Sequence, residues 1–239
     1  MTEEDIVSTL QAQHKNVLIS YGGDGTLVSK WREAKSQKKP ILPVRNYGRC
    51  QKHEELLKTL LECKSEKDLS LKLSVNPIIK FAFHDEQNHK MALAEMQLKN
   101  KDITSALRFN VFVNNKKFYD NVIADAVIAS TPLGSTGYWK SITRTIFRKG
   151  FGLTFLAPTV GISSLVLKPN DFVKIEFTRN AILAVASDKD TNEKEVKSGD
   201  FVDVSLASDN MSIIGYDEFM CFECRKNRNS TILQDQYIV

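Results

Sequence analysis

Cysteine is scarce in this chain, long apolar runs are missing, and neither sign of charge dominates. Each shortage removes a class of protein. Four Cys in 239 residues are too few for a disulfide-stapled secreted scaffold. The opening Met-Thr-Glu-Glu-Asp is acidic and polar, unlike a signal peptide, so the thiols read as reduced and the protein as cytoplasmic. Apolar stretches such as Ala181 to Ala186 fall far short of the about 20 residues of a membrane span, and no membrane partner is expected. Thirty-three basic and 29 acidic residues leave a net charge of +4, with local basic clusters at Lys35 to Lys39 and Arg144 to Lys149. A nucleic-acid binder carries a stronger or more segregated excess, so nucleic acid is not expected either. Solvated surface charge explains the surplus, and a small polyanion such as a nucleotide fits it equally well. No period of 20 to 50 residues repeats, and there is no low-complexity tract.

What is present is ordinary globular material. Hydrophobic residues make up 42% of the chain, and 13 Phe, six Tyr and two Trp supply the volume of a real core. The first 65 residues read as a small α/β domain. Helices are expected over Glu3 to Ala12, Thr26 to Ser36 and His53 to Cys63, and strands over Asn16 to Tyr21 and Ile41 to Val44. Strand, turn, helix and strand at this spacing imply a parallel sheet. From Leu69 the pattern alternates as in half-buried strands. Strands are expected over Leu69 to Val75, Ile79 to His84, Met91 to Leu98, Phe109 to Val113, Asn121 to Ala129, Leu153 to Ala157, Phe172 to Phe177, Ile182 to Ala186, Phe201 to Leu206 and Met211 to Gly215. One helix, from about Ser135 to Arg148, interrupts them. The expected organisation is therefore 1–65 as an α/β nucleotide domain, 66–225 as a β-rich domain of layered sheets, and 226–239 as a C-terminal tail.

Two loops carry chemistry. Gly22-Gly23-Asp24-Gly25-Thr26 follows a strand and opens a helix. Glycines there let the backbone approach a ligand, and successive N–H groups at the positive end of a helix form an anion nest. Asp24 is out of place beside phosphates unless it holds Mg²⁺ or takes a proton from an attacking hydroxyl; a plain strand-to-helix turn is the bland reading. Ser130-Thr131-Pro132-Leu133-Gly134-Ser135-Thr136-Gly137-Tyr138 follows a second strand. Ser or Thr capping a helix start would leave other N–H donors free for an anion. Two such nests in one chain point to nucleotide binding.

Gly22-Gly23-Asp24-Gly25-Thr26-Leu27 together with Asp125 to Tyr138 resembles the NAD kinase family, over about Asn16 to Ile214. Gly-Gly-Asp-Gly is shared with diacylglycerol, sphingosine and 6-phosphofructo kinases, whereas the Ser-Thr-Pro-x-Gly-Ser-Thr core is close to diagnostic. The resemblance implies an α/β nucleotide domain and a β-rich domain with the active site in the cleft between them. It also implies phosphoryl transfer from ATP or polyphosphate, with Mg²⁺ or another divalent cation, to the 2′-hydroxyl of the adenosine ribose of NAD. By motif, Asp24 would activate that hydroxyl, with Gly23, Gly25 and Thr26 shaping the phosphate loop and Asn46 beside it. Asp125 would bind the nicotinamide-side ribose or amide, and Thr136, Gly137, Tyr138 and Ser141 would line the NAD pocket. Glu95 matches the second residue of an Asn-Glu pair, and Asp188 the acid of a late Asp-Gly that reaches a neighbour's site in homodimers or homotetramers.

The chain also departs from that pattern. Ala94 stands for the Asn that would recognise adenine, Arg49-Cys50-Gln51-Lys52 replaces Gly-Phe-Leu, Thr143-Arg144-Thr145 replaces Gly-Gly-Pro, and Lys189 replaces the late Gly. The family's opening strand-helix unit is not found ahead of Asn16. The alternative is thus an altered or inactive relative that binds a nucleotide as a sensor or regulatory module. Cys221-Phe-Glu-Cys224 is half of a zinc spacing. Cys50 and Cys63 lie far off in sequence with no paired spacing to complete it, so no residue is singled out as a metal ligand and the cysteines read as buried thiols, on a packed strand over Phe219 to Cys224, with zinc as the alternative. His14, His53, His84 and His89 form no ligand spacing and read mostly as surface residues.

Overall fold

A computed structural model describes residues 3–46, 49–63, 72–227 and 232–234. By its contacts the chain divides into two compact units, Met1–Asn76 with Asn210–Asn229, and Pro77–Asp209 with Ser230–Val239. Two strands, Leu73–Phe83 and Phe201–Ile214, carry the chain from one unit to the other. The break expected near residue 65 falls in 64–71, outside the described residues, as do Leu69 to Leu71 of the first expected β-strand of the second domain. The return of Asn210–Asn229 to the first unit differs from the expected 66–225 domain and 226–239 tail. The cause is a single strand: Phe201 to Leu206 and Met211 to Gly215 were expected as two, yet they form one element. Its early part pairs with Phe172–Phe177, and Ile213 near its end pairs with Ile41. Alternation shows a strand but not where the strand changes partners.

In the first unit, helices span Glu3–Gln13, Asp24–Ser36 and Gln51–Glu62. Strand Leu18–Tyr21 lies parallel to Ile41–Val44, with Leu18 opposite Ile41 and Tyr21 opposite Val44. Leu56, Leu57 and Leu60 turn one helical face onto Leu10, Ile19, Leu42, Val44 and Ile214. Each such side chain taken from water contributes roughly 1.5–3 kcal/mol. This is the expected strand-helix-strand arrangement, and it leaves the exits of both parallel strands at the same sheet edge, where α/β folds receive ligands.

In the second unit two antiparallel sheets are layered. One pairs Leu107–Val113 with Lys116–Ala124 and with Phe172–Phe177. The other runs Leu165–Leu167, Phe151–Leu156, Ala126–Ser130, Glu95–Asn100, Ala181–Ser187, Asp190–Val196. Their inner faces share one core that includes Phe81, Phe83, Phe109, Phe151, Phe155 and Phe177, with Phe109 and Phe155 stacked at 5.9 Å.

Several expected elements break where local chemistry overrides the pattern. Met91 to Leu98 is two strands, Lys90–Ala92 and Glu95–Asn100, with a bend at Leu93-Ala94. Asn121 to Ala129 is also two, Lys116–Ala124 and Ala126–Ser130, interrupted at Asp125. The Ser135 to Arg148 helix reduces to a 3₁₀ turn Gly134–Thr136 and a helix Tyr138–Thr143. Arg144 ends it in the left-handed region at φ 59°. Thr145–Phe147 then forms a strand parallel to Ile232–Gln234, as its β-branched residues favour. Phe219 to Cys224 is not a strand but parts of two short helices, Tyr216–Met220 and Phe222–Asn227. No helix among the described residues is long and apolar enough to cross a membrane.

Candidate functional site

The glycine loop of the first unit is built by close packing. Gly22 sits at φ +146°, and a Cβ there would collide with the Thr26 side chain, so only glycine lets Thr26 fold back over the turn. Gly23 is the N-cap of helix Asp24–Ser36, with no side-chain cap. Gly25 lies in the first turn, where backbone N–H groups have no intrahelical acceptor, whereas the Thr26 N–H already donates to the Gly23 carbonyl at 3.0 Å. Among the described residues nothing lies within 4 Å of a Cβ placed on Gly23, so none of them requires a glycine there.

Asp24 is held. Arg45 Nη2 donates to Asp24 Oδ1 at 2.6 Å, and the side chains are 17% and 34% exposed for Arg45 and Asp24 respectively. Arg45 in turn donates Nε to the Phe219 carbonyl at 3.0 Å and lies 4.2 Å over the Phe219 ring. Sequence reasoning missed Arg45; its one signal was a charged residue directly after the buried strand Ile41–Val44. Asn46 follows it, exposed, at the exit of that strand. The loop, Asp24, Arg45 and Asn46 thus share one edge of the parallel sheet.

In the second unit the long motif closes on the Leu93-Ala94 bend. Thr131 donates its backbone N–H to the Ala94 carbonyl at 2.9 Å and its hydroxyl to the Leu93 carbonyl at 2.7 Å. Ser135 donates Oγ to the Pro132 carbonyl, and Thr136 to the Leu133 carbonyl. The motif's hydroxyls therefore build its own turn; the cap of the helix is Gly137, without a side-chain bond. At the preceding 3₁₀ turn, however, the Thr131 hydroxyl accepts the Gly134 backbone N–H at 3.3 Å, so a hydroxyl opens the motif's turn as expected. Ser141 likewise donates to the Tyr138 carbonyl at 2.7 Å. Lys99 Nζ lies 4.9 Å over the Tyr138 ring.

Glu95 and Asp188 meet at the same bend in different states. Asp188, in the left-handed region at φ 55°, accepts the backbone N–H groups of Leu93 and Ala94 at 2.8 Å and of Glu95 at 3.1 Å. Its carboxylate fixes the bend within its own chain. Glu95 Oε1 accepts from Gln97 Nε2 at 2.6 Å, while Oε2 is buried with no hydrogen-bond partner. Burial pushes the Glu95 carboxyl above its ordinary range, although the bond from Gln97 and the nearby Tyr138 backbone N–H, too poorly placed for a hydrogen bond, pull the other way. A buried carboxylate oxygen without a donor costs stability. Directly across the strand pair from Glu95 is Ser130, whose hydroxyl is buried and unpartnered as well. Glu95, Thr136, Gly137, Tyr138 and Asp188 are therefore one neighbourhood. Asp125 is not part of it: it is exposed and sits at the opposite end of strand Ala126–Ser130, on the order of 17 Å from the motif's turn.

Ala94 is half-buried at the bend, not inside a strand, and its N–H and carbonyl are both engaged. An amide added there need not be buried unpaired. Ala94→Asn should keep the melting temperature within a few degrees and tighten dinucleotide binding roughly 2- to 10-fold per bond gained. Calorimetric titration with NAD, beside a melting curve, checks it. A destabilised variant with weaker binding would remove this bend from the site.

An α/β unit with a glycine loop at a strand exit and a layered β unit with a second loop motif have counterparts of the same fold among solved NAD and NADH kinases. The structure matches yeast NADH kinase complexed with NADH at a TM-score of 0.70, with 16% identity, covering 90% of this chain and 65% of that one. It matches an NAD kinase from Archaeoglobus fulgidus in complex with ATP at 0.65, with 18% identity and 90% and 84% coverage. In sequence the chain is 25% identical over 219 residues to the NAD kinase of Sulfurimonas denitrificans, covering 88% of this chain and 76% of that protein. It is 32% identical over 141 residues to that of Latilactobacillus sakei, covering 56% and 52%. No family model matches. The chain is NAD kinase-like in sequence and in fold, as the two loop motifs implied.

Proposed function

We propose that the protein transfers a phosphoryl group from ATP or polyphosphate to the 2′-hydroxyl of the adenosine ribose of NAD, forming NADP. The kinship to NAD kinases supports the reaction class, and Gly23 carries the reading for this chain. An uncapped helix start with open space in front of a glycine is what a phosphate needs in order to reach backbone N–H groups. Asp24, one turn-position away and partly exposed, accepts the proton of the ribose hydroxyl as the oxygen–phosphorus bond forms. The work is positioning and charge neutralisation rather than covalent catalysis. Mg²⁺ or another divalent cation, held largely by the substrate phosphates, would neutralise phosphate charge, which leaves the Asp24 carboxylate for the proton. Glu95, Thr136, Gly137 and Tyr138 hold the dinucleotide, and the unpartnered Glu95 oxygen fits a ribose or amide donor.

One observation favours the second reading, a nucleotide-binding module without turnover: Arg45 engages the carboxylate that must accept the proton. The two readings separate on Gly23→Ser. Serine is at least as good an N-cap as glycine, so the melting temperature should hold or rise. Its side chain fills the open space, and NADP formation with Mg²⁺ and ATP or polyphosphate should fall at least ~10-fold. A wild-type chain stabilised by NAD that forms no NADP establishes the module instead.

A further inference from the structure

Cys50, Cys221 and Cys224 are 171 residues or more apart across the two segments in sequence, yet their Sγ atoms all lie within 4.8 Å of one another. All three belong to the first unit. Cys50 is the N-cap of helix Gln51–Glu62, and Cys221 occupies the break between the two short helices at φ 32°, ψ 73°, a left-handed backbone that a non-glycine residue seldom adopts. The Cys221 and Cys224 sulfurs are 3.0 Å apart. Each segment contributes a pair at the same spacing, Cys50-Gln-Lys-His53 and Cys221-Phe-Glu-Cys224. Cysteine spacing alone hid the first pair, and the four histidines, expected mostly at the surface, include two that are not. His53 is fully buried, and so is His14.

We propose that Cys50, Cys221 and Cys224 bind one zinc ion as thiolates, with His53 as the fourth ligand. Tetrahedral Zn–S bonds of ~2.3 Å set thiolates roughly 3.8 Å apart, so the sulfurs need shift by only about an ångström. Three thiolates with one imidazole are a donor set that selects zinc among the common divalent ions. The ring of His53 lies outside the 4.8 Å group and must move toward it. Its Nδ1 is buried without a hydrogen-bond partner, while Nε2 accepts only a long 3.4 Å bond from the Arg45 backbone N–H. Ligation through Nδ1 moves the ring proton to Nε2 at the expense of that weak bond. Burial, and then the charges of Arg45 and Arg49, hold the imidazole neutral, down to about 4, which is the form a metal requires. Burial raises the Cys50 thiol, but the His53 backbone N–H and the neighbouring thiols outweigh it and leave it below its ordinary value. The Cys224 thiol is pushed up to about 12, first by the bond from Cys221 and then by burial. A simple Cys221–Cys224 disulfide would account for two of these groups and leave Cys50 and the His53 nitrogen without a role.

The site does not depend on the phosphotransfer reading, and its test does not use activity. The full chain, purified without chelator, should carry about one zinc per chain by elemental mass spectrometry. Cys50→Ser and Cys221→Ser should lose it, and Cys63→Ser, outside the cluster, should keep it. Since the first two variants risk misfolding, zinc-stripped wild-type chain is also refilled with Co²⁺. Thiolate-to-cobalt charge-transfer absorption with tetrahedral d–d bands is the expected result. His53→Gln should speed zinc loss to a competing chelator at least ~10-fold. A chain without zinc that gives no such cobalt spectrum, or a Cys221–Cys224 disulfide in a non-reducing peptide map, overturns the site. An unchanged rate of loss in His53→Gln overturns the four-ligand set.

Discussion

Asp24→Asn is expected to lower NADP formation by a factor of ~10² or more while the chain still folds and still binds NAD. The carboxylate is the one acidic group in the glycine loop, at the first position of helix Asp24–Ser36. A ribose hydroxyl attacks phosphorus only if its proton has somewhere to go, and an amide cannot take it. The fold should tolerate the change because Arg45 keeps its other anchors, the Phe219 carbonyl at 3.0 Å and the Phe219 ring at 4.2 Å. The partly exposed Asp24–Arg45 pair is worth little on its own. Steady-state turnover, NAD affinity by calorimetry and a melting curve separate the outcomes. Full activity would take Asp24 out of the mechanism, and loss of NAD binding with intact folding would make it a binding residue.

How much of this was legible in the sequence depends on the range of the interaction. The glycine loop was legible because one element makes it: a buried strand ends, glycines turn, and a helix begins. The helix Gln51–Glu62 was legible from Leu56, Leu57 and Leu60 on one face. Arg45 was not, since its partners Asp24 and Phe219 are 21 and 174 residues away and no local pattern marks a charge that will be shared. The same holds for Asp188. Its late acidic position was noticed, but its three backbone partners at Leu93 to Glu95 lie more than 90 residues upstream. Asp190–Val196 was missed for the opposite reason: it is an exposed edge strand whose residues Asp, Thr, Asn, Glu and Lys carry no apolar alternation.

The hydroxyls of the second motif show how a motif can be recognised while only part of its physics is read. Thr131, Ser135 and Thr136 read as caps that free backbone N–H groups for an anion, and their hydroxyls in addition donate to the Leu93, Pro132 and Leu133 carbonyls. Their pattern is what lets a tight turn lie against the Leu93-Ala94 bend. The ligand-facing chemistry then falls to Glu95 and Ser130, whose buried oxygens lack partners. A scaffold that leaves those atoms unsatisfied gives up stability, and a polar ligand that meets them recovers it.

Gly134→Ala should be the most destabilising single methyl in the chain's second motif. A Cβ on Gly134 would collide with the Ala94 carbonyl oxygen and stand 2.6 Å from its carbon. Both are backbone atoms, fixed from one side by Thr131 and from the other by Asp188. No side chain can rotate away, so the turn and the bend must separate. Forced overpacking of this kind costs about 3 kcal/mol or more. At 2–4 °C per kcal/mol for a chain of this size, the melting temperature should drop by roughly 6–12 °C. Separation also carries Thr131, Thr136 and Gly137 away from Glu95, so NAD affinity should fall further than the loss of stability alone explains. Gly161→Ala is the control, because a Cβ there meets nothing within 4 Å, and it should change neither quantity measurably. If Gly134→Ala melts with the wild type and binds NAD as tightly, the contact between the second motif and the Leu93-Ala94 bend does not hold the site together.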